Sequence, residues 1–413
     1  MRGINRREFA GIILGCSAAG SLRAAEGNAQ LDDTLRTGIA QRRIPAVVGM
    51  VANASQILYA GAFGTRDSSA KPVAADGIFQ IASMTKAITT VAALQLVEQS
   101  KIRLEEPVSR YLPQLAKLQV LDGFDSNGKL KLRPATVPVT LHHLLTHTSG
   151  FCYDTWDGDM FRYASHLNGT PIPRVPPLMF EPGNRWQYGM SMDWAGRLVE
   201  AVSGMNLEEY FQSRILRPLG MSDTSYILPE AKFERLVSGY RRQPDGSLKQ
   251  MDRTMPKPPK EFNGGGGLFS TAADYTRFMQ MILGKGAGPN QARILRPQTV
   301  ELMEINQIGD LSAGKMKSYR PDYSSDVDIQ PGATEKWGYG FLINTAPYTG
   351  GRSAGSLAWA GLYNTFYWID PARSLCAVLL MQFLPFVDRE AVGLLNDFEH
   401  AVYLKDSNGA NKF

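Results

Sequence analysis

The strand-like stretches of this 413-residue chain stand at its two ends. Residues 47–51 and 57–60 read as a strand pair joined across a polar 53–56 turn. The next segments of that kind, 336–344, 354–359, 362–369 and 374–383, come close together near the end. No crossover helix separates the members of either group, so each pairs antiparallel, and the two ends of the chain must close into one sheet. Helical patterns at 31–44, from Met84 onward, at 271–283 and at 387–404 flank it. Residues 105–262 are rich in Pro and long loops, with helices near 140–147, 191–203 and 206–216. The expected fold class is therefore α/β of the α+β type, an antiparallel sheet flanked by helices. Its sheet domain takes 31–104 and 263–413, and a mostly helical domain, 105–262, is inserted between them. No internal repeat or low-complexity tract interrupts this plan.

Composition excludes several classes of function. Three Cys cannot build a disulfide scaffold or a multi-cysteine metal site, and five His leave little for a metal centre. The net charge of +5 hints at an anionic partner until its position is examined. Residues 1–25 carry Arg2, Arg6, Arg7 and Arg23 against Glu8 alone, which leaves the remainder near +2. No Lys/Arg run tracks a phosphate backbone, so no nucleic-acid partner is expected.

The run Asn5-Arg6-Arg7-Glu8-Phe9, followed by small and apolar residues to Leu22, resembles a twin-arginine export signal. Cleavage is expected near Ala24 or Ala25, delivering a periplasmic or secreted protein. Ile13-Leu14-Gly15-Cys16 also fits a lipoprotein attachment site, the less favoured reading. The apolar stretch is too short to span a bilayer, and no later segment of about 18 apolar residues follows, so no membrane span is expected in the mature chain. Cys376, within an apolar run, reads as a buried thiol.

Two serine patterns compete for the role of nucleophile. Gly351-Arg352-Ser353-Ala354-Gly355 has the elbow spacing, but strand and turn rather than helix should follow it. The other pattern is Ser-x-x-Lys, in which a lysine serves as base. It occurs at Ser68/Lys71, Ser83/Lys86, Ser126/Lys129 and Ser312/Lys315. Only Ser83 stands where an apolar strand ends and a long helix with apolar residues at three- and four-residue spacing begins. A helix N-terminus there favours developing negative charge, and Lys86 one turn on shares its face. The plainer readings are a helix cap for Ser83 and a solvated lysine for Lys86.

The context of that serine resembles a known superfamily. Phe79-Gln-Ile-Ala-Ser83-Met-Thr-Lys86 is similar to the nucleophile helix of serine β-lactamases and penicillin-binding-protein relatives. Leu141-His-His-Leu-Leu-Thr-His-Thr-Ser-Gly150, Glu181-Pro-Gly-Asn-Arg-Trp-Gln-Tyr188 and Trp359-Ala360-Gly361 resemble its later signatures, in the same order. The resemblance runs from about residue 31 to 400 and implies a β-lactamase/transpeptidase-like fold. It also implies that Ser83 is acylated and that Lys86 and Tyr188 share the proton, with either as primary base. Backbone N–H groups of Ser83 and Leu362 would hold the oxyanion.

Two departures decide the expected substrate. Met190 stands where class C β-lactamases have the Asn of Tyr-x-Asn, and Trp359 stands where they have the Lys of Lys-Thr-Gly. The groups that would hold a β-lactam's amide and carboxylate are gone. The set resembles family VIII carboxylesterases, and the expected activity is hydrolysis of short- to medium-chain acyl esters, with a small-molecule ester as partner. Acyl transfer to another alcohol is the alternative, as is β-lactamase or D-amino-acid peptidase activity. Trp359, Gly361, Met190, Tyr153 and Trp186 are the substrate-contact candidates.

No cofactor or metal is expected. His143 and His147 have zinc-helix spacing, but Leu144 stands where a Glu is needed. The run Gly264–Gly267 lacks a phosphate-loop lysine and reads as a flexible turn.

Overall fold

The computed structural model describes residues 29–404. The export segment and the Cys16 reading lie outside the described residues. Strand β1 (Ala46–Asn53) is apolar along nearly its whole length and buried, as a strand covered on both faces must be. It pairs antiparallel with β2 (Ile57–Gly64) on one side. On the other side it pairs with a strand more than 300 residues away, β7 (Leu375–Leu380), in the register Val48↔Leu380 to Asn53↔Leu375. Strands β3 (Glu335–Trp337), β4 (Leu342–Asn344), β5 (Leu357–Gly361) and β6 (Thr365–Asp370) complete the seven-stranded sheet, in the order β2-β1-β7-β6-β5-β4-β3. All of its pairings are antiparallel. The sheet is closed by both ends of the chain, as the sequence pattern requires.

Helices cover both faces. On one lie α1 (Ala29–Arg42) and α5 (Arg389–Tyr403), which pack on each other and on β1 and β2. There Gly49 leaves room for Leu35 and Phe398. On the other lies α4 (Ala272–Leu283), started by a Thr271 side chain that accepts from the Asp274 N–H. The Tyr275 hydroxyl on α4 donates to the Met84 carbonyl at 3.0 Å, tying this layer to the turn that carries Ser83.

Helix α2 (Thr85–Glu98) departs from expectation. It is buried on every face from Thr85 to Leu96, not amphipathic. It lies against the inserted helices, including α3 (Ser191–Ser203), so its polar Thr and Gln positions need internal partners. Thr90 and Thr89 donate to carbonyls, and Gln95 does the same. The strand expected over 336–344 is two strands separated by a turn in which Gly340 takes φ +84°. The helix expected at 140–147 stops at Leu145, and His147 takes φ +57°. The one expected at 206–216 is α-helical over Leu207–Phe211 and then widens to a π turn, Gln212–Leu216. The inserted region also holds a hairpin, Gln119–Phe124 with Leu130–Pro134, that the sequence reading passes over. Cys152 and Cys376 are free and buried. Among the described residues no helix is long and apolar enough to cross a membrane.

Candidate active site

Ser83 does not cap α2. It sits in a 3-10 turn, Ala82–Met84, just before it, and the helix start has no side-chain cap. The preceding residue, Ala82, is held at φ +44°, a conformation that costs an L-residue about 1 kcal/mol or more. Local strain therefore aims the serine out of the strand-to-helix junction. The other three Ser-x-x-Lys pairs are exposed at both positions, in loops or a hairpin turn.

Lys86 follows in the first turn of α2 and is 1% exposed. Its Nζ donates to Ser83 Oγ at 3.1 Å, to the Gly265 carbonyl at 2.6 Å and to Tyr153 Oη at 3.5 Å. An ammonium has three hydrogens, and this geometry provides three acceptors. The same nitrogen lies 4.7 Å from the centroid of the Tyr188 ring, a cation–π arrangement away from water.

Tyr188 comes from the loop before α3 and is buried. Its hydroxyl accepts from Trp359 Nε1 at 3.2 Å, and its ring packs at 4.8 Å from both the Trp359 and His147 rings. Trp359 projects from β5. Gly361, two residues on in the same strand, has no room for a side chain. A Cβ there would lie 2.3 Å from the Ile81 carbonyl oxygen, so its absence lets β5 close on the Ser83 turn.

These groups surround a cavity of about 380 Å³. Ser83, Tyr153, Tyr188, Trp359 and Leu362 line it together with Tyr323, Tyr363 and Phe386. Among the described residues no Asp, Glu, Lys or Arg side chain forms its wall. Three expected contact residues stand elsewhere. Trp186 is buried against His147 and Trp337, Met190 packs into hydrophobic clusters at the start of α3, and Gly361 acts through strand spacing.

The glycine run is not a free turn. Gly264 and Gly265 pass so close to α3 that a Cβ on Gly264 would meet the Met192 carbonyl oxygen at 2.2 Å. Their carbonyls serve Thr89 and Lys86. Sequence reading also missed Asp193, in the first turn of α3, whose Oδ1 accepts from the Gly265 N–H at 2.8 Å. Its signal was a carboxylate five residues beyond Tyr188.

His147 is buried beside Lys86, and burial together with that positive charge holds its imidazole well below its ordinary pKa. His143 is a helix-capping group, paired with Thr140. Among the described residues no cluster of three His, Cys, Asp or Glu could hold a metal. The pentapeptide around Ser353 is structural. Arg352 forms a buried bidentate pair with Glu399, the Ser353 N–H binds Asp370, and strand β5 follows.

Residues 31–401 match the family model described as Beta-lactamase. The chain belongs to the beta-lactamase family. Within it, the chain is 32% identical to monacolin J acid methylbutanoyltransferase of Aspergillus terreus, over 94% of this chain and 98% of that protein. It is 31% identical to lovastatin esterase of Penicillium rubens, over 91% and 98%. Unliganded simvastatin synthase from Aspergillus terreus superposes with a TM-score of 0.80 at 30% identity, covering 92% of this chain and 98% of that one. Most of this chain is thus similar to proteins named for acyl transfer and for ester cleavage.

Proposed function

We propose that this protein is a serine acyltransferase that moves an acyl group from a small ester donor to an alcohol acceptor through an acyl-enzyme on Ser83. The observation that carries the reading is the 3.1 Å contact of Lys86 Nζ with Ser83 Oγ at an aromatic cavity without charged walls. Ser83 Oγ attacks the donor carbonyl, and the Lys86–Tyr188 pair takes its proton, titrating as a unit. The carbonyl oxygen becomes an oxyanion facing the N–H groups of Ser83 and Leu362. The bond to the leaving alkoxide breaks and the proton passes to that oxygen. An acceptor hydroxyl then attacks the acyl carbonyl, gives up its proton to the same pair and restores Ser83. The cavity's size and aromatic lining suit a short- to medium-chain acyl group and an uncharged partner.

A second reading is favoured by the similarity to lovastatin esterase: water takes the acceptor's place and the enzyme is a carboxylesterase. The two share every step up to the acyl-enzyme. They separate in a partition experiment, in which an aryl ester is turned over with and without excess alcohol and both products are quantified. Transfer predicts that new ester dominates over free acid. Free acid throughout makes the protein an esterase. Rapid cleavage of nitrocefin with no reaction of any ester overturns both. Ser83→Ala should abolish acyl-enzyme formation by mass spectrometry, whereas Ser353→Ala should leave it intact. The proposal includes export through the 1–25 segment, and cell fractionation of the native protein checks it.

A further inference from the structure

One carboxylate close to Lys86 has no part in the acyl-transfer steps. Asp193 Oδ1 accepts from the Gly265 N–H at 2.8 Å, and the carbonyl of the same residue accepts from Lys86 Nζ at 2.6 Å. Asp193 also stands beside the Tyr153 hydroxyl, which accepts from Lys86 Nζ at 3.5 Å. The two oxygens meet over one glycine: a Cβ on Gly265 would lie 2.7 Å from Asp193 Oδ1 and 3.0 Å from Tyr153 Oη.

The direction of these bonds follows from the donor inventory. A phenol has one hydrogen, and an ionised carboxylate only accepts. With its lone pair accepting from Lys86, the Tyr153 hydroxyl keeps its hydrogen for the carboxylate side, where Asp193 stands. One carboxylate thus holds the Gly265 peptide and stands beside Tyr153, the two acceptors of Lys86 other than Ser83. The groups that face Asp193 are Lys86 from α2, Tyr153 from the loop after Gly150, and Tyr226 from the loop after Met221. On its own helix, Arg197 is engaged with Glu261 at 3.5 Å. Burial raises the Asp193 carboxyl above its ordinary pKa while the Lys86 charge pulls it down.

We infer that Asp193 is the positioning residue of Lys86: it orients the Gly265 carbonyl and the Tyr153 hydroxyl so that the remaining N–H stays on Ser83, and it supplies the negative charge that balances the ammonium. The inference rests on Ser83 being the acylated residue.

The test uses the full chain, p-nitrophenyl butyrate and the pre-steady-state burst of p-nitrophenol, with Asp193→Asn, Tyr153→Phe and the double variant. Each single change should slow acylation per active site about 10- to 100-fold with KM held within about threefold. The double variant should lose little more than the worse single one, because both act through one nitrogen. In Asp193→Asn the ascending limb of rate against pH should move to lower pH by about one unit, since the charge favouring the protonated site is gone. Asp193→Glu should recover part of the rate. Additive losses overturn the inference. So does an Asp193→Asn enzyme that loses melting temperature and active-site titre but keeps the per-site rate and the pH limb. Ser83→Ala is run in parallel: a surviving burst there refutes the acyl-enzyme itself, an outcome distinct from failure of the Asp193 assignment.

Discussion

Gly361→Ala is one methyl group placed where the structure leaves none. The added Cβ would lie 2.3 Å from the Ile81 carbonyl oxygen and 2.3 Å from Thr365 Oγ1. The threonine can rotate away, but the carbonyl belongs to the backbone that leads into Ser83. To reach an ordinary van der Waals separation, β5 and the Ser83 turn must part by about 1 Å. That displacement falls between the serine and Leu362, the two residues whose N–H groups are proposed to hold the oxyanion. A misplacement of about 1 Å in a catalytic constellation costs on the order of 100-fold in rate. Overpacking of this size costs about 1–3 kcal/mol of stability. The expected result is a kcat for p-nitrophenyl butyrate lowered about 100-fold, KM little changed, and a melting temperature reduced by a few degrees. Circular dichroism at the assay temperature establishes that the variant is folded. A folded Gly361→Ala enzyme with native kcat would refute the claim that strand spacing aligns the site.

Other expectations follow from single contacts. Trp359→Phe keeps a ring against Tyr188 but removes the 3.2 Å hydrogen bond to its hydroxyl; a net bond worth about 1 kcal/mol implies roughly a fivefold fall in kcat, read by steady-state kinetics. Glu399→Gln leaves the buried Arg352 without its counter-charge, so urea unfolding should show a loss of about 3–5 kcal/mol while the folded enzyme keeps its kcat. Burial lowers His143 to about 4, so the unfolded chain binds the proton first as pH falls from about 6.5 toward 4, and stability is lost across that window. Thermal melts from pH 7 to 4 should show this decline, and His143→Gln should flatten it.

The sheet was legible because its strands are apolar and clustered at the two ends, and α3 because its 3.6-residue pattern is exposed on one side. Ser83 and Lys86 were legible through local context, Tyr188 and Trp359 through the family resemblance of the motifs around them, and the four do meet in space. The hairpin at 119–134 was not, since Val120-Leu121 followed by Asp122-Gly123 breaks the alternation of its first strand, and its second strand is short and much of it faces water. Helix α2 misled because periodicity cannot distinguish a helix with one buried face from a helix enclosed on all sides. Gly264, Gly265 and Asp193 were hidden for a different reason. Their roles depend on main-chain groups brought to Lys86 from 107 or more positions away, and no local pattern encodes such an approach.

The glycine run also fixes where protons can travel. With Gly264 and Gly265 pressed against α2 and α3, and the Tyr153 and Tyr188 rings beside its nitrogen, Lys86 is almost closed to solvent, and Ser83, to which it donates, lines the cavity. A substrate seated in the cavity covers that serine. The proton released by the serine then has one destination, the oxygen that leaves. The next molecule to enter, water or an alcohol, brings its own proton in exchange.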